Sequence, residues 1–268
     1  MRLGELRPLP RRHRLDLRRR GRRRARDRRL RPPPLLNASY TDRFPGSFAR
    51  GLPFQENPDT GDARISGTTA SLAGLEKALA EEGPAEVELA LGRILMLTSI
   101  ALVIGGIPLL YLGDEFAMLN DYDYAGDPAR ADDSRWGHRP AHDTAAFERR
   151  AAPETIEGRL FAKLNRLIAI RHREPVFAGT EADFPDLGND HVFGLVRHAD
   201  GRRLLALANV TEQPQTVDGK VLRLAALTRE ARHLVADDLI STASDVTLEP
   251  YQVMWIVQAN HDETLSGV

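Results

Sequence analysis

The stretch RILMLTSIALVIGGIPLLYLGDE, residues 93–115, is a long apolar run and holds the main clue to the fold. Two glycines and a proline interrupt it and an Asp-Glu pair ends it, so it does not suit a membrane helix, which needs about 20 uninterrupted apolar residues. The pattern predicts a buried helix over Glu86–Ile104, a turn, and a strand over Ile107–Leu112. Because continuous apolar strands are typical of sheets covered on both faces, we expect this strand to be fully buried.

The chain is long enough for a substantial core, with 268 residues of which 42% are hydrophobic. It contains no cysteine, which excludes disulfides and thiol chemistry, and its histidines show no metal-ligand spacing. We therefore expect no metal site and no cofactor. The net charge of −1 hides an asymmetry, because residues 1–34 carry 15 arginines against three acids, a net charge of +12.

The N-terminal segment lacks the apolar centre of a secretory signal, which favours a cytoplasmic protein. Its charge leaves two ordinary interpretations open, a basic arm that binds acidic partners and a disordered tail. Charge alone is weak evidence for a nucleic-acid partner, and we expect neither nucleic acid nor a membrane as a partner.

Two irregular stretches flank the apolar run. Residues 37–75 are rich in Gly, Pro, Asn, Asp and Thr, which predicts a long structured loop, and residues 113–140 mix acids with aromatic residues. Carboxylates and arginines can bind sugar hydroxyls, and aromatic rings can stack on sugar faces. The second stretch therefore suits a polyol-binding surface, although a loop that packs its own aromatics has the same composition.

The C-terminal part changes from helical to strand periodicity. An amphipathic helix is predicted within Glu154–Phe177 and ends at Pro175, where we place a domain boundary. A hairpin is predicted around Asp200-Gly201, and TLEPYQVMWIVQA, residues 247–259, predicts one last strand. Residues 177–260 are thus expected to form a small antiparallel β domain, followed by a tail over 261–268.

Four motifs resemble one enzyme family. The stretches RFPGSFARGLPFQENPDTGDARISGT, GGIPLLYLGDE, ADDSRWGHRP and LEPYQVMW are similar, in this order, to the C-terminal portion of amylosucrases, which belong to the α-amylase superfamily, glycoside hydrolase family 13. The resemblance runs from Leu35 to about Ala259. It implies an α/β fold in which residues 35–176 form about strands seven and eight of a (β/α)₈ TIM barrel, with residues 37–75 as the large loop after strand seven. An antiparallel β-sandwich would follow.

The resemblance also implies a chemistry. Amylosucrases transfer glucose from sucrose to an α-1,4-glucan and release fructose, using a carboxylate nucleophile, a general acid and a third, stabilising acid. The first two follow barrel strands four and five, upstream of the region that this chain resembles. We therefore assign no catalytic residue, and we expect the missing N-terminal half of the barrel as a partner.

The third acid of the family lies in a segment HDD…IGW just before the large loop, where this chain has arginines. If residues 9–16, LPRRHRLD, are encoded CTG CCA CGA CGA CAT CGG CTG GAC, the frame one base downstream encodes Cys-His-Asp-Asp-Ile-Gly-Trp. Arginine codons of the form CGN followed by C become codons for Asp, Ala, Val or Gly. We therefore interpret residues 1–34 as an out-of-frame segment that rejoins the family frame near Leu35.

Five residues are candidates for substrate binding. Arg64 and Gln55 match positions that face the acceptor side of the amylosucrase sugar site, although a purely structural role in holding the loop together stays open for both. Arg135 matches an arginine that closes the pocket around the donor glucose, with its natural partner expected in the absent barrel half. Phe54 is the aromatic candidate, and Glu56 stands where the family has a stacking residue. Asp114 is included, although the Asp-Glu pair at 114–115 suits loop ordering better than chemistry.

Two functions remain open at this point. The first is a fragment of an amylosucrase-like glucosyltransferase, with sucrose and α-glucan as substrates and no activity alone. The second is a non-catalytic binding module whose basic arm contacts acidic partners. The sequence does not separate amylosucrase specificity from sucrose hydrolysis or isomerisation.

Overall fold

The computed structural model describes residues 32–224 and 230–259, with side chains from residue 35 onward. The proposed out-of-frame segment 1–34, except the backbone of its last three residues, and the tail 261–268 lie outside the described residues. The helices are α1 (Pro32–Tyr40), α2 (Thr69–Leu72), α3 (Leu75–Glu81), α4 (Pro84–Val103), α5 (Thr144–Arg149), α6 (Ile156–Arg173) and α7 (Gly219–Leu224). The strands are β1 (Leu52–Phe54), β2 (Arg64–Ser66), β3 (Glu181–Asp183), β4 (Val192–Ala199), β5 (Arg202–Asn209), β6 (Gln215–Val217), β7 (Glu230–His233), β8 (Asp238–Ser241), β9 (Val246–Leu248) and β10 (Val253–Gln258).

The two predicted helices are confirmed as α4 and α6. Helix α4 ends where Gly105 and Gly106 take φ values of 115° and 75°, which glycine adopts readily. Arg197 donates to the carbonyl oxygen of Val103 at 2.8 Å, and Arg171 donates to that of Leu102. These two arginines, from β4 and α6, satisfy carbonyls that the helix end leaves without intrahelical partners. Among the described residues, no helix has the length and apolar character needed to cross a membrane.

The predicted buried strand over Ile107–Leu112 is wrong. These residues form no strand, and Ile107, Leu109 and Leu112 are 97%, 88% and 71% exposed. The physical reason is pairing, since an inner barrel strand needs hydrogen-bonded neighbours, and all strand pairs among the described residues are antiparallel and lie elsewhere. The segment is therefore an exposed apolar strip.

The predicted antiparallel β domain is present and has three layers. Six strands pair in the order β3-β4-β5-β10-β7-β8, and a ribbon of β6 and β9 covers one face. On that face Leu205 and Leu207 pack with Leu248 and Ile256. The other face packs on α4 and α6, and this explains why β5 is buried on both sides from Leu204 to its end.

The hairpin prediction is confirmed, and the last-strand prediction is wrong in one respect. Strands β4 and β5 are joined by Asp200 and Gly201, both with positive φ (49° and 76°), as a two-residue turn of type I′ requires. The C-terminal stretch forms two strands, because Tyr251 at φ 56° lies in a turn that separates β9 from β10. These two strands belong to different sheets.

The exposed apolar strip leads to a first prediction. We expect the purified chain to self-associate through this segment, because large contiguous apolar surfaces favour association. The double substitution Ile107→Ser with Leu109→Asn is expected to raise, several-fold, the protein concentration at which self-association is first detected by static light scattering. The control is Leu239→Asn, which removes another exposed leucine, on strand β8. An equal effect of this control would contradict the prediction.

Candidate functional site

The candidate site begins with the short hairpin β1–β2, in which Phe54 lies opposite Arg64. The connection between the strands is ordered by Asn57, whose Oδ1 accepts hydrogen bonds from the backbone N–H groups of Asp59 and Thr60 at 2.8 and 3.2 Å. Asn57 also donates its own N–H to the carbonyl of Asp62 at 2.7 Å. The Gly- and Pro-rich loop is thus held by an Asx turn, which fixes the tip of the hairpin.

A second segment, the 3₁₀ turn Ser134–His138, lies directly on this hairpin. The hydroxyl of Ser134 donates to the carbonyl of Pro53 at 2.7 Å. A Cβ atom at Gly137 would lie 2.3 Å from Leu52 Cδ1, so a larger residue here would require the Leu52 side chain to move. These contacts join residues about 80 positions apart in the chain, and they place Arg135 beside Phe54.

Arg135 is held between a carboxylate and an aromatic ring. Its Nε and Nη2 donate to the two oxygens of Asp133 at 2.8 and 2.7 Å, and its guanidinium carbon lies 4.4 Å from the centroid of the Phe54 ring. The hydrogen bond from Arg135 lowers the pKa of Asp133 to about 2 and raises that of the guanidinium. Both groups are therefore charged at neutral pH, and the arginine fork is oriented before any ligand arrives.

Two further candidates border this pair. Gln55 follows Phe54 with φ 54°, a conformation that a non-glycine residue seldom adopts. Arg64 is exposed, and no hydrogen bond or ion pair joins its side chain to the described residues. We call the group Phe54, Gln55, Arg64, Asp133 and Arg135 the arginine–phenylalanine patch.

Glu56 is turned away from the patch. Its carboxylate pairs with Arg43, whose Nη1 and Nη2 donate at 2.6 and 3.1 Å, and this pairing lowers the pKa of Glu56. Glu56, which the resemblance led us to expect at a stacking position, therefore makes an exposed ion pair. The partner of Arg135 in this structure is Asp133, whereas the resemblance led us to expect that partner outside the chain.

Asp114 lies apart from the other four candidates. It begins a 3₁₀ turn after the exposed strip and interacts with the side chain and backbone of Thr69, at the start of α2. Burial is the main cause that raises its pKa, ahead of the opposing hydrogen bonds with Thr69. This environment suits the loop-ordering role that the sequence favoured.

Sequence reasoning singled out Trp136 only as a member of an aromatic stretch. In the structure two arginines lie close to its ring, with the Arg130 and Arg139 guanidinium carbons 4.6 and 5.7 Å from the centroid. Sequence reasoning also missed Ser134 and Gly137, which dock the loop on the hairpin, because nothing in their local pattern indicates a distant contact. No cluster of three metal-binding side chains occurs in the described ranges.

Comparisons with known proteins agree on the fold. A family model described as the C-terminal immunoglobulin-like domain of D-apionate lactonase matches residues 189–256, within the β domain. Among solved structures, a variant of AmyP in complex with maltotriose is 17% identical with a TM-score of 0.54, covering 70% of this chain and 38% of that chain. AmyP in complex with maltose is 18% identical with a TM-score of 0.51, covering 69% and 37%.

These neighbours are enzymes of glycoside hydrolase family 13. The fold is consistent with the C-terminal part of such an enzyme. At these identities the likeness concerns the fold alone. The chain spans less than two fifths of the neighbours it matches.

Proposed function

We propose that the chain is the C-terminal part of an amylosucrase-like glucosyltransferase, that the arginine–phenylalanine patch contributes to its sugar site, and that the chain alone is catalytically inactive. The observation that carries the proposal is the guanidinium of Arg135, which is fixed between Asp133 and the Phe54 ring. Sugars combine apolar ring faces with paired hydroxyls, and this patch offers an aromatic face beside a preorganised fork.

The geometry supports a binding role more than a catalytic one. Asp133 is ionised and engaged by Arg135, and Glu56 is engaged by Arg43, so neither carboxyl near the patch is free to transfer a proton at neutral pH. The amylosucrase specificity and the use of sucrose rest on the four sequence motifs. The neighbours solved with maltose and maltotriose support an α-glucan as the acceptor.

We predict that Phe54→Ala weakens maltotriose binding by about two- to tenfold, since an aromatic contact contributes about 0.5–1.5 kcal/mol beyond its buried area. Binding would be measured by ligand-observed NMR at millimolar sugar concentration. Phe184→Ala is the matched control, because that ring is 66% exposed on the β domain, away from the patch. Equal affinity of the Phe54 variant and the unaltered chain would argue against a sugar subsite here.

A further inference from the structure

A cleft unrelated to the patch lies where α6 meets the large sheet. Its volume is about 700 Å³, within the range typical of small-molecule sites. The charged residues that line it are five arginines, Arg166, Arg173, Arg202, Arg203 and Arg232, and two acids, Glu174 and Asp237. The cleft therefore carries a formal charge of +3.

The fold brings these arginines together from three elements. Arg166 and Arg173 are seven residues apart on α6, which places them two turns apart on one helix face. Arg202 and Arg203 open strand β5 directly after the hairpin turn. Because side chains alternate along a strand, Arg202 shares the face of Leu204, which packs on the helices, and Arg203 lies on the opposite face. Arg232 on β7 lies opposite Val257 of β10, and Val257 is paired on its other side with Leu204, the next residue of β5.

The acids do not neutralise the cleft. Arg232 donates to Asp237 at 2.6 Å, and this bond, with smaller contributions from Arg166 and Arg173, lowers the pKa of the Asp237 carboxyl. Nε of Arg166 donates to the carbonyl of Val235 at 2.6 Å. The Asp237 carboxylate thus interacts with several guanidinium groups and stays ionised at neutral pH.

Two of the arginines on the helix side of the sheet remain available to a ligand. The side chains of Arg173 and Arg202 form no hydrogen bond or ion pair with any residue in the described ranges. Glu181 and Asp200 lie on the other side of Arg202 and Arg203, in a separate cleft of about 500 Å³. Converging cations repel one another, and a bound anion relieves this repulsion.

The lining also limits what the ligand is. It contains no aromatic side chain, so it offers neither a sugar ring nor a nucleobase a stacking surface. Guanidinium groups match the oxygens of phosphate in a bidentate geometry. From the convergence of these arginines in one concave cleft, we propose that it binds a compact anion bearing two or more phosphate groups.

The test uses the full chain and a local probe. Because residues 1–34 are also strongly basic, binding must be read at the cleft itself. The chain has no cysteine, so a Gln258→Cys substitution in the cleft lining gives a unique position for an environment-sensitive fluorophore. A label at Lys220→Cys, on the exposed surface of α7, serves as the reference.

We expect inorganic triphosphate to give a saturable signal at the cleft label and none at the reference label. Arg173→Gln with Arg202→Gln is expected to weaken binding by about tenfold or more, since charge-assisted hydrogen bonds are lost. Arg173→Gln alone, on α6, is also expected to weaken it, which guards against a local folding defect at the hairpin. The charge-matched control, Lys163→Gln with Lys220→Gln, is expected to change affinity by less than about twofold, because both lysines lie outside the cleft.

Two ligand comparisons complete the test. Orthophosphate is expected to bind at least about tenfold more weakly than triphosphate, because it reaches fewer arginines. Adenosine triphosphate is expected to match triphosphate within about threefold, since no aromatic residue in the lining receives its base. No saturable signal, an equal loss in the lysine control, or a clear preference for the nucleotide would overturn the proposal.

Discussion

We expect the purified chain to release neither fructose nor glucose from sucrose above the rate in buffer. In enzymes of the family that the motifs resemble, the nucleophile and general acid lie in a region that this chain does not resemble. Loss of a whole catalytic set lowers turnover by on the order of 10⁶-fold. Release of fructose would be followed by a coupled spectrophotometric assay.

The carboxyl groups near the patch reinforce this expectation. A general acid needs a pKa near the working pH, whereas that of Asp133 is lowered to about 2 by Arg135. The pKa of Asp114 is raised, but its carboxyl interacts with Thr69 and orders a loop. Turnover that persists after repurification, and that falls when Arg135 is substituted, would refute the proposal of an inactive fragment.

The positive control for this assay is the gene in its repaired reading frame. If residues 1–34 are out of frame, the repair replaces the arginine-rich segment with one similar to HDDIGW, which carries the acid that faces the oxocarbenium-like transition state. The repaired full-length enzyme is expected to transfer glucose from sucrose, unlike this chain. Arginine codons that do not encode the motif in the next frame would exclude this explanation and leave a basic arm as the interpretation.

Local patterns in the sequence predicted the parts of the fold that depend on local interactions. Helix α4 follows from a continuous apolar run ended by the breaker Gly105, and α6 follows from apolar periodicity ended by Pro175. The turn at Asp200-Gly201 follows from two residues that tolerate positive φ. In these cases the residues that decide the structure lie within a few positions of one another.

The failures concern interactions with distant or absent partners. Ile107–Leu112 has the composition of a buried strand, but a strand forms only beside another strand, and no strand of the described residues pairs with it. The stretch ending in β10 was predicted as one strand because its residues are mostly apolar. The structure divides it at the turn that contains Tyr251. In both cases the composition correctly indicated an apolar segment, but it did not indicate which strand, if any, that segment pairs with.

The candidate site shows the same division. No local pattern relates Phe54 to Arg135, which are 81 positions apart, and only the family resemblance placed both in one sugar site. The resemblance could not supply Asp133 as the partner of Arg135, or the docking of Ser134 on Pro53. These contacts depend on the side chains of this particular loop.

The last prediction concerns the predicted boundary at Pro175, across which the core is continuous. Trp255 of β10 is completely buried, and its ring centroid lies 5.0 Å from that of Phe177. The same cluster includes Leu102 of α4 and Leu167 of α6. Arg197 adds hydrogen bonds to carbonyls on both sides of the boundary, at Val103 and Phe177.

We therefore expect the helices and the β domain to unfold as one cooperative unit, and Trp255→Ala to lower the free energy of unfolding by about 3–5 kcal/mol, the cost of emptying a buried aromatic site. Urea unfolding followed by far-UV circular dichroism measures both effects. Trp255→Phe is expected to cost less, because the indole N–H has no hydrogen-bond partner among the described residues, and Phe184→Ala, on the exposed surface, is the control. Two separate transitions, with only the later one shifted by Trp255→Ala, would instead make Pro175 a true energetic boundary and the β domain an independently stable unit.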